Sequence, residues 1–155
     1  MQLRYRGLDA APFQPFFAMD DATLKAGGIV RVTCDASPGF PCRITLEDAE
    51  PGETLLLLTF EHQKADTPYR AGGPIFVREC ARRAYDSNVL PPVFKSRTLS
   101  VRAYDEAGMM VEAALVDGAE AEPLFARMLA RPQASYLHVH NAGRGCYAAR
   151  VERGQ

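Results

Sequence analysis

At 155 residues, 47% hydrophobic and 24% charged, the chain has the length and balance of one globular domain that buries a core without staples. Its net charge of −1 gives no ground for nucleic acid or an anionic membrane as a partner. Of the 18 basic residues all but Lys25, Lys64 and Lys95 are arginine, a bias that genome composition explains for most of them.

The opening "MQLRYRGLDAAPF" lacks the apolar core of a secretory leader, and a cytoplasmic location is expected. Residues 1–19, ending in the aromatic and proline-broken "FQPFFAM", read as an irregular arm packed on the core. "DDATLKAGG" (20–28) predicts a short helix with an aspartate cap and a glycine stop, and "IVRVTCD" (29–35) a strand. In "PCRITLEDAEPGETLLLLTFEHQ" (41–63), Pro51-Gly52 suits the centre of a type II turn between two paired strands. That hairpin sets Leu46 opposite Leu57 and Cys42 opposite Glu61. Its second strand is apolar on both faces and belongs in the middle of a sheet, and its "LLLL" is far too short to cross a bilayer.

"KADTPYRAGGP" (64–74) reads as a polar loop and "IFVREC" (75–80) as a strand. The prolines of "LPP" prevent 81–97 from being regular throughout. A second hairpin turns at "DEAG" within 98–116, and 120–130 is an amphipathic helix with Leu124, Phe125, Met128 and Leu129 toward the core. "YLHVHNAGRGCYAARV" (136–151) is a third hairpin. The expected fold is a single α+β domain, 1–155, with a mostly antiparallel sheet of about seven strands and two short helices. The cysteines at 34, 42, 80 and 146 have no Cys-x-x-Cys spacing, so four free thiols are expected.

The third hairpin carries the strongest chemical signal. On a strand, residues two apart share a face, so His138 and His140 stand side by side, roughly 6.5 Å apart at Cα. Pairing Asn141 with Cys146 puts Tyr136, His138, His140, Tyr147, Ala149 and Val151 on one face, with Ala149 opposite His138. Leu137, Val139, Asn141, Cys146 and Ala148 take the other, which separates Cys146 from the histidines unless a bulge intervenes. A His-x-His this short is often inert. The third histidine, His62 in "FEHQ", lies at the end of the long apolar strand. The hairpin register and the loop leaving Gln63 place Cys42, Arg43, Glu61, His62, Tyr69 and Arg70 together there, with the His138/His140 face opening toward them. Arg70 beside Gly72-Gly73 suits a carboxylate or phosphate, against the plainer reading of a surface arginine at a glycine turn.

Nucleotide-loop, metalloprotease and nucleophile-elbow motifs are absent. "HVHNAGRGC" has neither the following glutamate of a cupin nor the third alternating histidine of a histidine-triad hydrolase. A zinc site needs His138, His140 and one of His62, Cys42 or Glu61. On ligand count no cofactor and no structural metal is expected, and an open site of the catalytic kind is the metal alternative.

The blocks "PGFPCRITLEDAEPGETLLLL", "FEHQ", "PYRAGGPIFVRE", "LSVRAYDEAGMM" and "LHVHNAGRGCYAARVER" resemble a family of bacterial proteins of about this length, domain of unknown function 1203. The likeness runs from about residue 20 onward; it implies a single bacterial domain and carries no activity, cofactor or site residue. From the residues themselves, the first reading is a small enzyme acting on an anionic substrate. His138, His140 and His62 supply acid–base chemistry; a metal-assisted version uses His138 and His140 as ligands. Arg43, Arg70, Tyr69 and Tyr147 hold the substrate. The alternatives are a module that binds a small ligand without turnover and a protein-interaction domain. Strand 146–152 is free to pair across a dimer, and nothing requires it.

Overall fold

The computed structural model describes residues 1–155 as two antiparallel sheets with four short α-helices. The larger sheet has the strand order β5-β1-β9-β8-β6-β7 and the smaller β2-β3-β4. The larger is made of β1 (Leu3–Arg6), β5 (Asp86–Ser87), β6 (Thr98–Tyr104), β7 (Met110–Asp117), β8 (Tyr136–Asn141) and β9 (Tyr147–Arg153). The smaller is made of β2 (Val30–Thr33), β3 (Thr54–Gln63) and β4 (Ala71–Arg78). The α+β class and the antiparallel pairing are as the sequence implies; the strand count is nine, in two sheets.

Alternation along the larger sheet builds its core. Leu99, Val101 and Ala103 of β6, with Leu137 and Val139 of β8 and Val151 of β9, are fully buried against Phe125, Met128 and Leu129 of α4 (Glu122–Leu129). Ser100, Arg102 and Tyr104 therefore face the other way, where they lie opposite His140, His138 and Tyr136. The smaller sheet has its own core. Leu56, Leu58, Ile75 and Val77 pack with Ile44, Phe13, and Leu24 of α2 (Asp21–Ala26). The Asp20 carboxylate caps α2 by accepting from the Thr23 amide at 2.7 Å, and Gly28 (φ 74°) turns the chain out of it.

The hairpin expected over 41–63 is only half right. The turn is there: the Glu53 amide donates to the Glu50 carbonyl at 3.1 Å, and Gly52 takes φ 93°. The segment before it, however, is not a strand. It coils back on itself, with Leu46 in the left-handed region (φ 52°) so that its side chain is buried in the larger sheet's core. Strand β3 pairs with β2 and β4 instead, and Cys42 bridges to Phe76 in parallel, not to Glu61. β3 is central, as its two-sided apolar run implies.

Two further elements differ from the sequence reading. The arm holds a strand, β1, in the interior of the larger sheet, and a one-turn helix, α1 (Gln14–Phe17). Its Tyr5 is fully buried among Phe94 and Phe125. "AGGP", read as loop, begins β4; Pro74 is tolerated because β4 is an edge strand. Residues 81–97 are irregular as expected, apart from the two-residue β5 and α3 (Pro92–Lys95).

Candidate metal centre

The seam between the two sheets holds all three histidines. His138 and His140 project from β8 on the face away from α4, and His62 reaches them from β3. Ring centroids of His62 lie 5.9 Å from His138 and 4.8 Å from His140, and one nitrogen of each imidazole lies within 4.8 Å of one on each of the others. Tyr147 closes the group by stacking on His62 at 5.2 Å, with the rings 2° from parallel.

Backbone irregularities aim these side chains. On a regular strand His62 and Gln63 would point in opposite directions. A bulge between Glu61 and Gln63 leaves His62 unpaired, and both side chains reach the larger sheet: His62 stacks on Tyr147, and Gln63 donates to the Tyr136 hydroxyl at 2.9 Å. A second bulge lies in the β8–β9 hairpin. His140 pairs with Tyr147 as expected, but beyond it the register shifts by one, so Val139 meets Ala149 and His138 meets Arg150. The expected partner of His138, Ala149, thus belongs to the core with Val151, and Arg150 takes its place, its guanidinium 4.0 Å above the Tyr136 ring.

The imidazoles are deprived of both water and counter-charge. His138 and His140 are 3% and 1% exposed, and His62 is half-buried. Burial first, then repulsion from His62, His140, Arg150 and Arg102, pushes the His138 pKa down to about 3. Burial, with Arg102 and His62, pushes His140 down to about 4. His62 is lowered by burial and by Arg102. All three are therefore neutral near pH 7, the state in which imidazole ligates a metal. His140 Nδ1 lies 2.9 Å from the Gly145 carbonyl; an N–H there leaves the Nε2 lone pair bare. That Nε2, with Nδ1 of His62 and Nδ1 of His138, is buried without a hydrogen-bond partner. Such atoms are rare, because each costs about 1–3 kcal/mol if left unpaired. Tetrahedral zinc bonded at about 2.0–2.1 Å sets its nitrogen ligands roughly 3.4 Å apart, so closure on an ion takes about an ångström of side-chain movement.

The other expected site residues fall outside this seam. Cys42 is a fully buried core thiol that accepts from the amides of Ile44 and Arg78. Arg70 and Glu61 form a surface ion pair at 3.2 Å, and Tyr69 is 37% exposed, edge-on to Tyr104 at 6.4 Å. Arg43 is buried behind Tyr147, whose carbonyl accepts from its Nε at 2.7 Å. Its Nη2 donates to the Cys146 sulfur at 3.0 Å, so Cys146 belongs with Arg43. Arg102 is the site residue the sequence reading missed. Alternation in "TLSVRAY" already groups Ser100, Arg102 and Tyr104; what was invisible was that β6 lies beside β8.

No curated protein and no solved structure matches the chain. Residues 39–153 match the model of a family described as "Protein of unknown function (DUF1203)", a span that takes in β3, β4 and all of β5–β9 and therefore every histidine of the seam. With three quarters of its length matched, the chain belongs to that family.

Proposed function

We propose that His62, His138 and His140 form a mononuclear site for a divalent transition metal and that the protein is a metal-assisted enzyme. The carrying observation is a set of three neutral imidazoles, two of them buried and one half-buried, that bring a nitrogen each within 4.8 Å of the others, each ring having one buried nitrogen without a hydrogen-bond partner and none having a carboxylate to hold it. Three imidazoles suit zinc, iron, copper or nickel and leave a position for water or substrate. An ion there would polarise a bound oxygen and lower the pKa of a bound water toward neutrality. The metal-free version, with a histidine as general base, is the poorer fit. Bases held near 3 and 4 take protons weakly at pH 7.

A second reading is favoured by access. The cluster's open side is His62, and no histidine lines the cavities of about 760, 520, 210 and 180 Å³. On that reading the ion staples the two sheets without turnover. Elemental analysis of protein purified without chelator tests both. Near-stoichiometric zinc, iron, copper or nickel is expected, and it should fall at least tenfold in His62→Gln, the least disruptive of the ligand changes. Metal-free protein that also fails to bind added Zn²⁺ or Co²⁺ overturns the site. A cobalt spectrum unchanged by added anions or substrate-like ligands selects the staple.

A further inference from the structure

Behind the histidine seam, on the far side of Tyr147, lies a separate cavity of about 520 Å³. Its volume is that of a small-molecule site. Three arginines and no carboxylate line it. Arg97 is already engaged, its fork closed on Asp48 at 2.6 and 2.9 Å, so it shapes the wall. Arg43 and Arg144 are not neutralised in this way, since neither belongs to any ion pair.

Arg43 is the unusual member. It is only 2% exposed, and its three acceptors are the carbonyls of Tyr147 and Pro41 and the Cys146 sulfur, with no carboxylate among them. A buried charge calls for an opposite charge. Of its five N–H groups, Nε and one on each terminal nitrogen are used; one on each Nη remains. Arg144 stands on the β8–β9 turn, exposed, with no hydrogen-bond partner for its side chain. Thr98 and Asn141 add a hydroxyl and an amide to the same wall. The remaining side is apolar: Pro41 and Phe76, the latter backed by Phe40 at 5.2 Å.

We propose that this cavity binds a small organic oxyanion, a carboxylate or phosphate ester, with its charged end between Arg43 and Arg144 and its apolar body against Phe76 and Pro41. Arginine's planar fork matches both oxyanions. The volume exceeds what a bare inorganic ion fills, and the apolar wall gives an attached ring or chain a place to lie. The assignment stands without a metal in the seam. The same turn nevertheless serves both places: Gly145 receives His140 Nδ1, while Arg144 and Cys146 line the cavity.

The test is titration of chelator-treated, metal-free protein with phenyl phosphate, benzoate and inorganic phosphate at constant ionic strength, followed by amide NMR. Saturable shifts are expected at Asn141, Gly143, Arg144 and Cys146 with phenyl phosphate or benzoate, and which of the two binds tighter identifies the oxyanion class. Inorganic phosphate should bind at least tenfold more weakly than phenyl phosphate. Arg144→Glu, a change on an exposed turn that leaves the fold intact, should weaken binding at least tenfold, while Arg70→Glu leaves it unchanged. Absence of saturable shifts with both organic anions, or equal affinity in Arg144→Glu, overturns the proposal. Because the protein is metal-free throughout, neither outcome depends on whether the histidines hold an ion.

Discussion

Mild acid should unfold the metal-free protein through its histidines. An imidazole whose folded pKa is depressed stays unprotonated in the native state while the unfolded chain takes up protons below its ordinary value of 6.5. The native state's advantage is complete above pH 6.5, shrinks steadily as pH falls below that value, and is fully lost once pH has passed the folded values of about 3 and 4. At pH 5 the unfolded chain gains about 2 kcal/mol for each such imidazole relative to pH 8, from RT ln(1 + 10^1.5). The figure depends on the unfolded pKa alone, because both native values lie well below 5. His138 and His140 together remove about 4 kcal/mol, a large part of the 5–15 kcal/mol that typically holds a domain folded. The assay is urea unfolding of chelator-treated protein at pH 8, 7, 6 and 5. The midpoint should drop steadily below pH 7, and His138→Phe should lose about 2 kcal/mol less than the unaltered protein between pH 8 and pH 5. A midpoint unchanged between pH 8 and pH 5, or a full-sized drop in His138→Phe, would refute the assignment of these rings as buried and neutral.

Other perturbations have equally definite outcomes. Arg78 holds the Glu53 carboxyl down at about 2 through paired 2.8 Å hydrogen bonds, so its stabilisation is present above pH 4.5 and fades as pH falls through 2. Glu53→Gln should therefore cost about 2 kcal/mol in urea unfolding at pH 7, after allowance for partial exposure, and much less at pH 2.5. Gly118→Ala would press a methyl group to 1.7 Å from the Phe94 carbonyl oxygen, whereas Gly143→Ala meets open space. Thermal melts should show a loss of roughly 3 kcal/mol, about 6–12 °C, in the first and no resolvable change in the second. Gln63→Leu removes the bond to Tyr136 that ties the sheets together, and should lower the melting temperature by about 2–4 °C.

Features governed by local chemistry were legible in the sequence: the aspartate-capped α2, the Pro51-Gly52 turn, the histidine hairpin and the shared face of His138 and His140. What depends on a partner far along the chain was not. His62 does reach the other histidines, but by a different route from the one inferred. Its expected location rested on a strand at 41–50 that the buried, left-handed Leu46 turns into a coil. The bulge at His62 and the one at Ala148 have no single-residue signature such as glycine, and the second exchanged Ala149 for Arg150 beside His138. Arg102 was hidden because alternation tells which residues share a face and says nothing about which strand lies alongside.

The division of the histidines, one from the small sheet and two from the large, bears on exchange kinetics. An ion gripped by all three leaves in steps, and the step that separates His62 from the pair requires the sheets to part where Gln63 meets Tyr136 and His62 lies flat on Tyr147. The residence time of such an ion would then track how often this seam opens, and hydrogen-exchange rates in β3 and β8 would report on it. A partner that pried at this edge would have to break those two side-chain contacts, and with them the bond from the Thr67 hydroxyl to the Gly108 carbonyl, before His62 could leave an ion.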